Sequence, residues 1–211
     1  MSLPVKPCLL PAKAGHRGVL VWRWESPKSI LSSAPVGGGP GLVRWVLNIG
    51  VGSDYDRTDL SEHAREVAAD LDVRGAGVAM FTAVDLSRWQ RCDFEGVTVD
   101  ATVGISHPTW AARPGVSGEP VSPGTINLVV QVPVGLDPGA AVNAVVTATE
   151  AKTQALSARG VPGTGTATDA VAILWPAGAA TERFAGPRSR WGSRIGQAAY
   201  RAVWSGARQL E

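Results

Sequence analysis

A glycine-rich turn between two strand-like stretches is the feature that most restricts how this chain can fold. Residues 29–39 and 42–51 are rich in aliphatic residues, and the sequence GGGPG lies at their junction, at positions 37–41. Glycine adopts the backbone conformations that a tight chain reversal requires, and it is therefore frequent in hairpin connections. The pattern predicts that the two stretches pair as antiparallel strands.

Three other segments carry the signals of helices. The clearest spans 137–159, where Asp137 can cap the first turn and Gly160 follows the last one. Apolar residues recur at helical spacing in 59–71, and a final helix is expected over 187–209. The remaining strand-like segments are 18–24, 78–84, 96–105, 125–132 and 170–175.

The order of these segments predicts the fold class. Strands come in consecutive pairs with hairpin signals, which is typical of a mixed, largely antiparallel sheet covered by helices. We therefore expect a single α+β domain over 1–211, with an irregular lead-in over 1–17 and a Pro/Gly-rich loop at 106–124. A structureless loop of that length inside a compact domain is usually functional or mobile.

Composition favours a globular protein and argues against several classes. Hydrophobic residues make up 45% of the chain and charged residues 18%, which is enough apolar material for a core. The net charge of +2 gives no signal for binding nucleic acid, although 180–211 holds six arginines against two glutamates. The chain has no long apolar run that would span a membrane and no apolar region typical of a signal peptide. We therefore expect a cytoplasmic protein.

Cysteine and histidine give no metal signal. Cys8 and Cys92 are far apart and lack metal-binding spacing, which favours ordinary thiols over a disulfide or a zinc site. His63 is expected on the solvated face of a helix, and His16 is expected to have no role. His107, in the long loop, is the one histidine in a plausible site context. The motifs HExxH, GxSxG and GxxxxGK[ST] are absent.

Polar residues stand out in two otherwise apolar strands. Asn48 is a lone amide in one of them, and Thr125 and Asn127 share a face of another. A buried amide without a partner is costly, so each amide needs a protein partner or a ligand.

The longest helix carries Glu150 and Lys152 within the sequence TEAKTQAL at 149–156. Periodicity alone favours a solvated pair at the edge of the buried face. The expected core stripe of this helix consists of Val142, Val145, Thr149, Thr153 and Leu156.

The sequence GTGTATDAV at 163–171 connects that helix to the next strand. Gly163 and Gly165 permit another group to approach the backbone closely, and Asp169 adds a carboxylate where the strand begins. Such a segment is either a threonine-rich turn or the floor of a site, and its own residues leave both interpretations open.

Taken in order, these segments resemble the adenosylcobinamide amidohydrolase family of cobamide salvage. The matching pieces, over about 30–205, are LSSAPVGGG (31–39), Asn48, Tyr55, MFTAVD (80–85), ATVG (101–104), GTINLVV (124–130), TEAKTQAL, GTGTATDAV and FAGPRSRWGSRIGQAAYRAV (184–203). The resemblance implies hydrolysis of the amide that joins a corrin propionate to aminopropanol, giving adenosylcobyric acid and 1-amino-2-propanol. The corrinoid substrate would carry its own cobalt, and no cofactor is required; the oligomeric state stays open.

With this resemblance, site roles can be suggested. Glu150 or Asp169 would be the base, and Lys152 or Asn127 would polarise the carbonyl. Backbone N–H groups of 163–168 would stabilise the oxyanion, with activated water preferred over a threonine nucleophile at position 164, 166 or 168. The expected substrate-binding residues are Asn48, Thr125, Thr164, Gly165, Thr166, Thr168, His107 and Trp110.

Tryptophan is abundant, with eight residues in the chain. Trp45, Trp110 and Trp191 are candidates for flat contact with a corrin plate, while at least half of the eight are expected to fill the core. Two alternative functions remain: a non-catalytic corrinoid carrier or sensor, and an amidase for another substrate.

Overall fold

This computed structural model describes residues 4–112 and 124–208, which contain ten strands, three α-helices and a short 3-10 helix at Leu86–Arg88. The strands are β1 (Cys8–Leu10), β2 (Val19–Ser32), β3 (Gly39–Gly50), β4 (Gly77–Thr82), β5 (Gln90–Phe94), β6 (Val97–Val103), β7 (Ile126–Gln131), β8 (Gly135–Leu136), β9 (Ala170–Pro176) and β10 (Thr181–Glu182). The helices are α1 (Leu60–Asp70), α2 (Pro138–Ala158) and α3 (Arg190–Arg208).

Eight of these strands form one sheet. Its order is β4-β3-β2-β9-β7-β6-β5, with β1 paired to β2. The pairs β3–β4 and β7–β9 are parallel and the other pairs of this sheet are antiparallel. The predicted α+β fold, with a mixed and largely antiparallel sheet covered by helices, is therefore confirmed.

The sheet is strongly curled, so that strands distant in its order touch across its inner face. β3 and β7 are three strand spacings apart, which would be roughly 14 Å in a flat sheet. Nevertheless Asn127 on β7 donates to Asn48 on β3 at 2.9 Å, and Trp22 on β2 donates to Asp100 on β6 at 2.9 Å. Side chains of opposite halves of the sheet thus form a shared interior.

Alternation along the strands divides the core into an inner and an outer part. On β6, Val97, Val99 and Ala101 face α2 and α3 on the outer face. The other half of the outer face packs against α1 through residues such as Leu47 and Ile49. The inner face holds a second apolar cluster, made of Leu20, Trp22, Trp24, Ile30, Ala34, Val43, Val46, Val78, Met80, Leu86, Val129, Ala170, Ala172 and Leu174.

Several predicted boundaries are wrong. The two expected strands at 18–24 and 29–39 form a single strand, β2, because a register shift between Arg23 and Lys28 accommodates the polar, proline-containing stretch between them. The hairpin turns before Gly39, so most of GGGPG already pairs in β3. The lead-in is not wholly irregular, since it contains β1.

Two further differences concern weak signals. The edge strand β5 was not predicted, because its residues are largely half-buried and do not alternate in hydrophobicity. The last helix begins at Arg190 rather than at position 187, because the Ser189 hydroxyl accepts the Gly192 N–H and caps it there. Asp137 caps α2 as expected, through Ala140 N at 2.7 Å.

The predicted core stripe of α2 is wrong at Val142, which is 55% exposed, and at Thr149, which is also exposed. The buried face is instead largely alanine, with Ala144, Ala148 and Ala155 inaccessible to solvent. Small side chains let α2 and α3 approach closely. The volume of the side chains, rather than their hydrophobicity, therefore determines which face of α2 is buried. Leu156 is buried, as expected.

Among the described helices, none is both long and apolar enough to span a bilayer. The predicted loop at 106–124 is described as far as residue 112 and again from 124; the remainder lies outside the described residues.

Candidate active site

A cleft of about 470 Å³ opens at one end of the curled sheet, where the ends of five strands and the start of α1 meet. Its apolar wall includes Tyr55, Leu60 and Phe81. The cleft is lined by Ser33, Pro35, Val51, Gly52, Ser53, Tyr55, Leu60, Phe81, Thr82, Ala83, Thr125, Asn127, Ala167, Thr168, Asp169 and Ala170. Such a mainly apolar pocket with a few converging polar groups is typical of small-molecule sites.

A chain of buried amides lies behind this cleft. Asn48 donates to Thr102 Oγ1 at 2.9 Å, and Asn127 donates to Asn48 Oδ1 at 2.9 Å and to Phe81 O at 3.1 Å. Both amide hydrogens of Asn127 are therefore used inside the protein. Its Oδ1 is buried and has no hydrogen-bond partner among the described residues. The free atom of Asn127 is thus an acceptor, and buried acceptors of this kind are usually satisfied by a ligand or water.

The carboxylate of Asp169 organises the opposite wall. Its Oδ1 accepts from Ile126 N at 2.9 Å and Thr166 Oγ1 at 2.5 Å, and its Oδ2 accepts from Thr166 N at 3.1 Å and from Lys152 Nζ. Four hydrogen bonds occupy the acceptor sites of a carboxylate. Gly165 is required here, because a Cβ at this position would overlap both Lys152 Nζ and Asp169 Oδ2.

The threonine segment is docked on the described start of the long loop. Thr109 N donates to Gly165 O at 2.8 Å, and Thr164 N donates to Thr109 O at 3.0 Å. Ala111 N donates to Thr164 Oγ1 at 3.0 Å. His107 and Trp110 belong to this docked stretch and are exposed, Trp110 at 53%; they adjoin the segment but do not line the cleft.

Hydroxyl groups supply most of the remaining polar lining. Thr168 Oγ1 lies 2.6 Å from Thr125 Oγ1 and donates to Gly124 O at 3.3 Å in one arrangement of the pair. Of Thr164, Thr166 and Thr168, the last alone lines the cleft. Ala167 and Thr168 also carry backbone N–H groups for which no acceptor is found among the described residues.

The prediction of a solvated His63 is wrong. Its side chain lies on the buried face of α1 with Ala64 and Val67, and the residue is 1% exposed. His63 Nε2 lies 2.9 Å from Gly15 O, and Nδ1 lies 2.7 Å from the hydroxyl of Tyr55, which lines the cleft. Burial raises the pKa of Tyr55.

His16 is also buried rather than peripheral. Its Nδ1 accepts the Gly18 N–H at 3.1 Å, and its Nε2 has no partner among the described residues. Burial lowers the pKa of His16. It supports the loop behind α1 and does not line the cleft.

The structure brings together Asn48, Thr125, Asn127, Thr168 and Asp169 from the predicted set, with Thr166, Gly165 and Lys152 directly behind them. Glu150 is not among them. It is exposed on the far side of α2, in a groove against α3 that also includes Gln154 and Tyr200.

The tryptophans contribute little to the cleft. Trp22, Trp24, Trp45 and Trp191 are buried, which confirms that at least half of the eight fill the core. None of those described lines the cleft, so Trp45 and Trp191 are unavailable for flat contact with a ligand.

Sequence reasoning missed Tyr55 and His63 as a pair, and it missed the hydroxyls of Ser33, Ser53 and Thr82. A signal existed for His63, because it stands four residues before Val67 and so shares the buried stripe of the helix. No signal could identify its acceptor, since Gly15 is distant in the chain. Within the described ranges, no group of three or more His, Cys, Asp or Glu side chains is arranged to hold a metal ion.

Comparison with known proteins decides the family. A model of the adenosylcobinamide amidohydrolase family matches residues 11–211. The chain belongs to this family. A curated protein of Methanosarcina mazei, named adenosylcobinamide amidohydrolase, is 29% identical over 163 residues, which cover 77% of this chain and 76% of that protein. Segments that carry the family resemblance in the sequence, among them LSSAPVGGG, MFTAVD, GTINLVV and GTGTATDAV, each contribute residues to the one cleft.

Proposed function

We propose that this protein hydrolyses the amide of adenosylcobinamide between the corrin propionate and aminopropanol, releasing adenosylcobyric acid and 1-amino-2-propanol for cobamide salvage. The observation that carries the proposal is the convergence of separate family segments on a single cleft. One of its lining residues, Asn127, has a buried Oδ1 without a hydrogen-bond partner among the described residues. Membership of the family supports adenosylcobinamide as the substrate, and the cleft contains polar groups that can bind an amide.

The polar groups of the cleft match the two ends of an amide. Asn127 Oδ1 is an acceptor suited to the substrate N–H, whereas a carbonyl oxygen needs donors. The N–H groups of Ala167 and Thr168 are the available donors, and they would stabilise the oxyanion that forms when water attacks the carbonyl carbon. Asn127 is thus proposed to hold the leaving nitrogen rather than to polarise the carbonyl.

Lys152 and Asp169 are proposed to shape this donor loop. The ion pair is nearly buried, with side-chain exposures of 8% and 12%, and it fixes Thr166 immediately before the donors. The assignment of the base to Glu150 or Asp169 stays a prediction. In this geometry Glu150 is outside the cleft and Asp169 has its acceptor sites occupied.

The wide corrin plate is proposed to remain at the mouth while the aminopropanol side chain enters. Hydroxyls of Ser33, Ser53 and Thr168 line the cleft and would bind the amides at the fringe of the ring. Trp110, exposed on the stretch that pairs with Gly165, is the proposed aromatic contact for the plate.

Mass spectrometry of purified protein incubated with adenosylcobinamide tests the function. We expect adenosylcobyric acid and 1-amino-2-propanol in equal amounts. Tight binding of intact adenosylcobinamide without product would instead support the carrier or sensor alternative. Turnover of other propionamides but not of adenosylcobinamide would support an amidase for a different substrate.

A further inference from the structure

The hydrogen bonds of His63 fix the direction in which its ring can move a proton. Nε2 faces the carbonyl oxygen of Gly15, which can only accept, so Nε2 carries the hydrogen. In the neutral ring Nδ1 is then an acceptor, and the Tyr55 hydroxyl must donate to it. As the donor in this bond, the Tyr55 oxygen keeps its lone pairs, and Tyr55 is one of the residues that line the cleft.

Among the described residues that line the cleft, no carboxylate has a free oxygen that could accept this proton. Among the described residues that line it, Asp169 is the only carboxylate, and its four acceptor sites are engaged by protein donors. A water molecule bound there would find no free carboxylate oxygen. The Tyr55 oxygen, backed by an unprotonated ring nitrogen at 2.7 Å, offers a route for its proton.

Packing holds the pair in this geometry. The rings of Tyr55 and Phe81 are stacked with centroids 5.9 Å apart, and His63 lies against both rings with centroids 5.5 Å from each. Phe81 also lines the cleft and its carbonyl binds Asn127, so the aromatic cluster is continuous with the amide chain behind the site. A pre-positioned pair of this kind needs little reorganisation during a reaction.

We propose that Tyr55 is a catalytic residue that takes the proton of the attacking water while passing its own proton to His63, and that His63 acts through Tyr55 as a positioning residue. This inference rests on the proposed amide hydrolysis. The Gly15 carbonyl accepts a hydrogen bond from His63 Nε2, and this bond orients the ring and stabilises the imidazolium that forms.

The proton balance of the reaction closes without another reagent. Water forms a bond to the carbonyl carbon as one of its protons moves to the Tyr55 oxygen and the Tyr55 proton moves to His63 Nδ1. When the carbon–nitrogen bond breaks, Tyr55 gives a proton to the leaving nitrogen and recovers one from His63. The products are a carboxylic acid and an amine, and both side chains return to their starting state.

Charged groups surround the pair from several elements. Arg57, Asp56, Asp59 and Glu66 act on Tyr55, and the Arg57 side chain binds both Asp59 and Glu66. His16 also interacts electrostatically with His63. Any dependence of the rate on pH must therefore be assigned with variants of the pair and of its neighbours.

Steady-state hydrolysis of adenosylcobinamide by Tyr55→Phe and His63→Gln tests the relay. Phenylalanine keeps the ring stack and loses the hydroxyl, while glutamine keeps a donor and an acceptor but cannot take up a proton. We expect kcat to fall by about 100-fold or more in both variants, since general-base catalysis contributes on the order of 10²–10⁴-fold. We expect KM to change by less than about threefold.

A matched control separates the relay from packing. Tyr200→Phe removes the hydroxyl of the other tyrosine, which stacks on Trp204 away from the cleft. This control should keep kcat within about threefold.

The possible failures are distinguishable. No product from the wild-type protein overturns the proposed function and the relay with it. Product from the wild type, together with a folded Tyr55→Phe variant whose kcat is within about threefold of it, overturns the relay alone. A fall of kcat in Tyr55→Phe that matches its loss of folded protein, measured by circular dichroism, also contradicts the relay.

Discussion

At the scale of single residues, the cleft is organised by side chains whose hydrogen bonds leave one defined group free. The amide group of Asn127 donates hydrogen bonds to Asn48 and Phe81, and its oxygen has no partner among the described residues. Asp169 shows the opposite case, because all its acceptor sites are taken. Counting donors and acceptors therefore separates groups that can meet a substrate from groups that hold the wall.

Asn127→Asp tests this count, because it keeps the size of the side chain but replaces its NH₂ donor with a carboxylate oxygen, which also brings a negative charge. A carboxylate would face Asn48 Oδ1 and Phe81 O, two acceptors, at a buried position. We expect the free energy of unfolding to fall by at least about 2 kcal/mol, measured by urea denaturation. The same exchange at exposed Asn143 is the control and should have almost no effect; equal stability of the two variants would show that the buried amide network is misassigned.

The two predicted acids can be compared directly. Glu150→Gln should keep kcat within about twofold of wild type, because Glu150 lies outside the cleft. Asp169→Asn should lower kcat by about tenfold or more, because an amide cannot accept from all four present donors and the loop before Ala167 loses its anchor. A large loss of kcat in Glu150→Gln with little loss in Asp169→Asn would contradict the assignment of this cleft as the active site.

At the scale of elements, the curl of the sheet carries strands of the two halves into contact. Trp22 of β2 and Arg91 of β5 both donate to Asp100 of β6, which is 2% exposed. Burial raises the pKa of Asp100 to about 6, against an ordinary value of 3.8, and Arg91 offsets only part of this effect. The folded state therefore holds a proton on Asp100 more tightly than the unfolded chain does.

Because the pKa of Asp100 is raised in the folded state, its contribution to the free energy of unfolding decreases as the pH rises. The contribution of Asp100 to stability is greatest below about pH 4 and is lost as the pH rises through about 6. The difference in unfolding free energy between wild type and Asp100→Asn should shift by on the order of 3 kcal/mol between about pH 4 and pH 7, to the disadvantage of wild type at the higher pH. Urea titrations at both pH values measure it, and a difference that is independent of pH would contradict the raised pKa.

The sequence was informative where local pattern decides the structure. Helix α2, its cap at Asp137 and strands β6, β7 and β9 lie close to their predicted bounds. The sequence pattern was uninformative where the burial of a side chain depends on a partner elsewhere in the fold. His63 is held by hydrogen bonds to Gly15 and Tyr55, and the residues next to His63 do not reveal these partners. Likewise, the alanine face of α2 is buried because α3 packs closely against it, which the sequence of α2 alone does not show.

At the scale of the whole molecule, the curled sheet assembles one cleft from segments spread over much of the chain. Residues from Ser33 to Ala170 line it. They come from β4, β7 and β9, from the start of α1, and from the loops that follow β2, β3 and β4 or precede β7 and β9. Each segment alone is a weak signal, which explains why the candidate residues could be named from the sequence but their division into cleft, support and surface could not.

The most direct measurement is product analysis after incubation of the purified protein with adenosylcobinamide in water enriched in heavy oxygen. We expect wild type to release adenosylcobyric acid with a heavy oxygen atom in its new carboxylate, together with an equal amount of 1-amino-2-propanol. Tyr55→Phe should release both far more slowly under the same conditions. Recovery of intact adenosylcobinamide from folded wild-type protein, or product without the label, would contradict hydrolysis at this cleft.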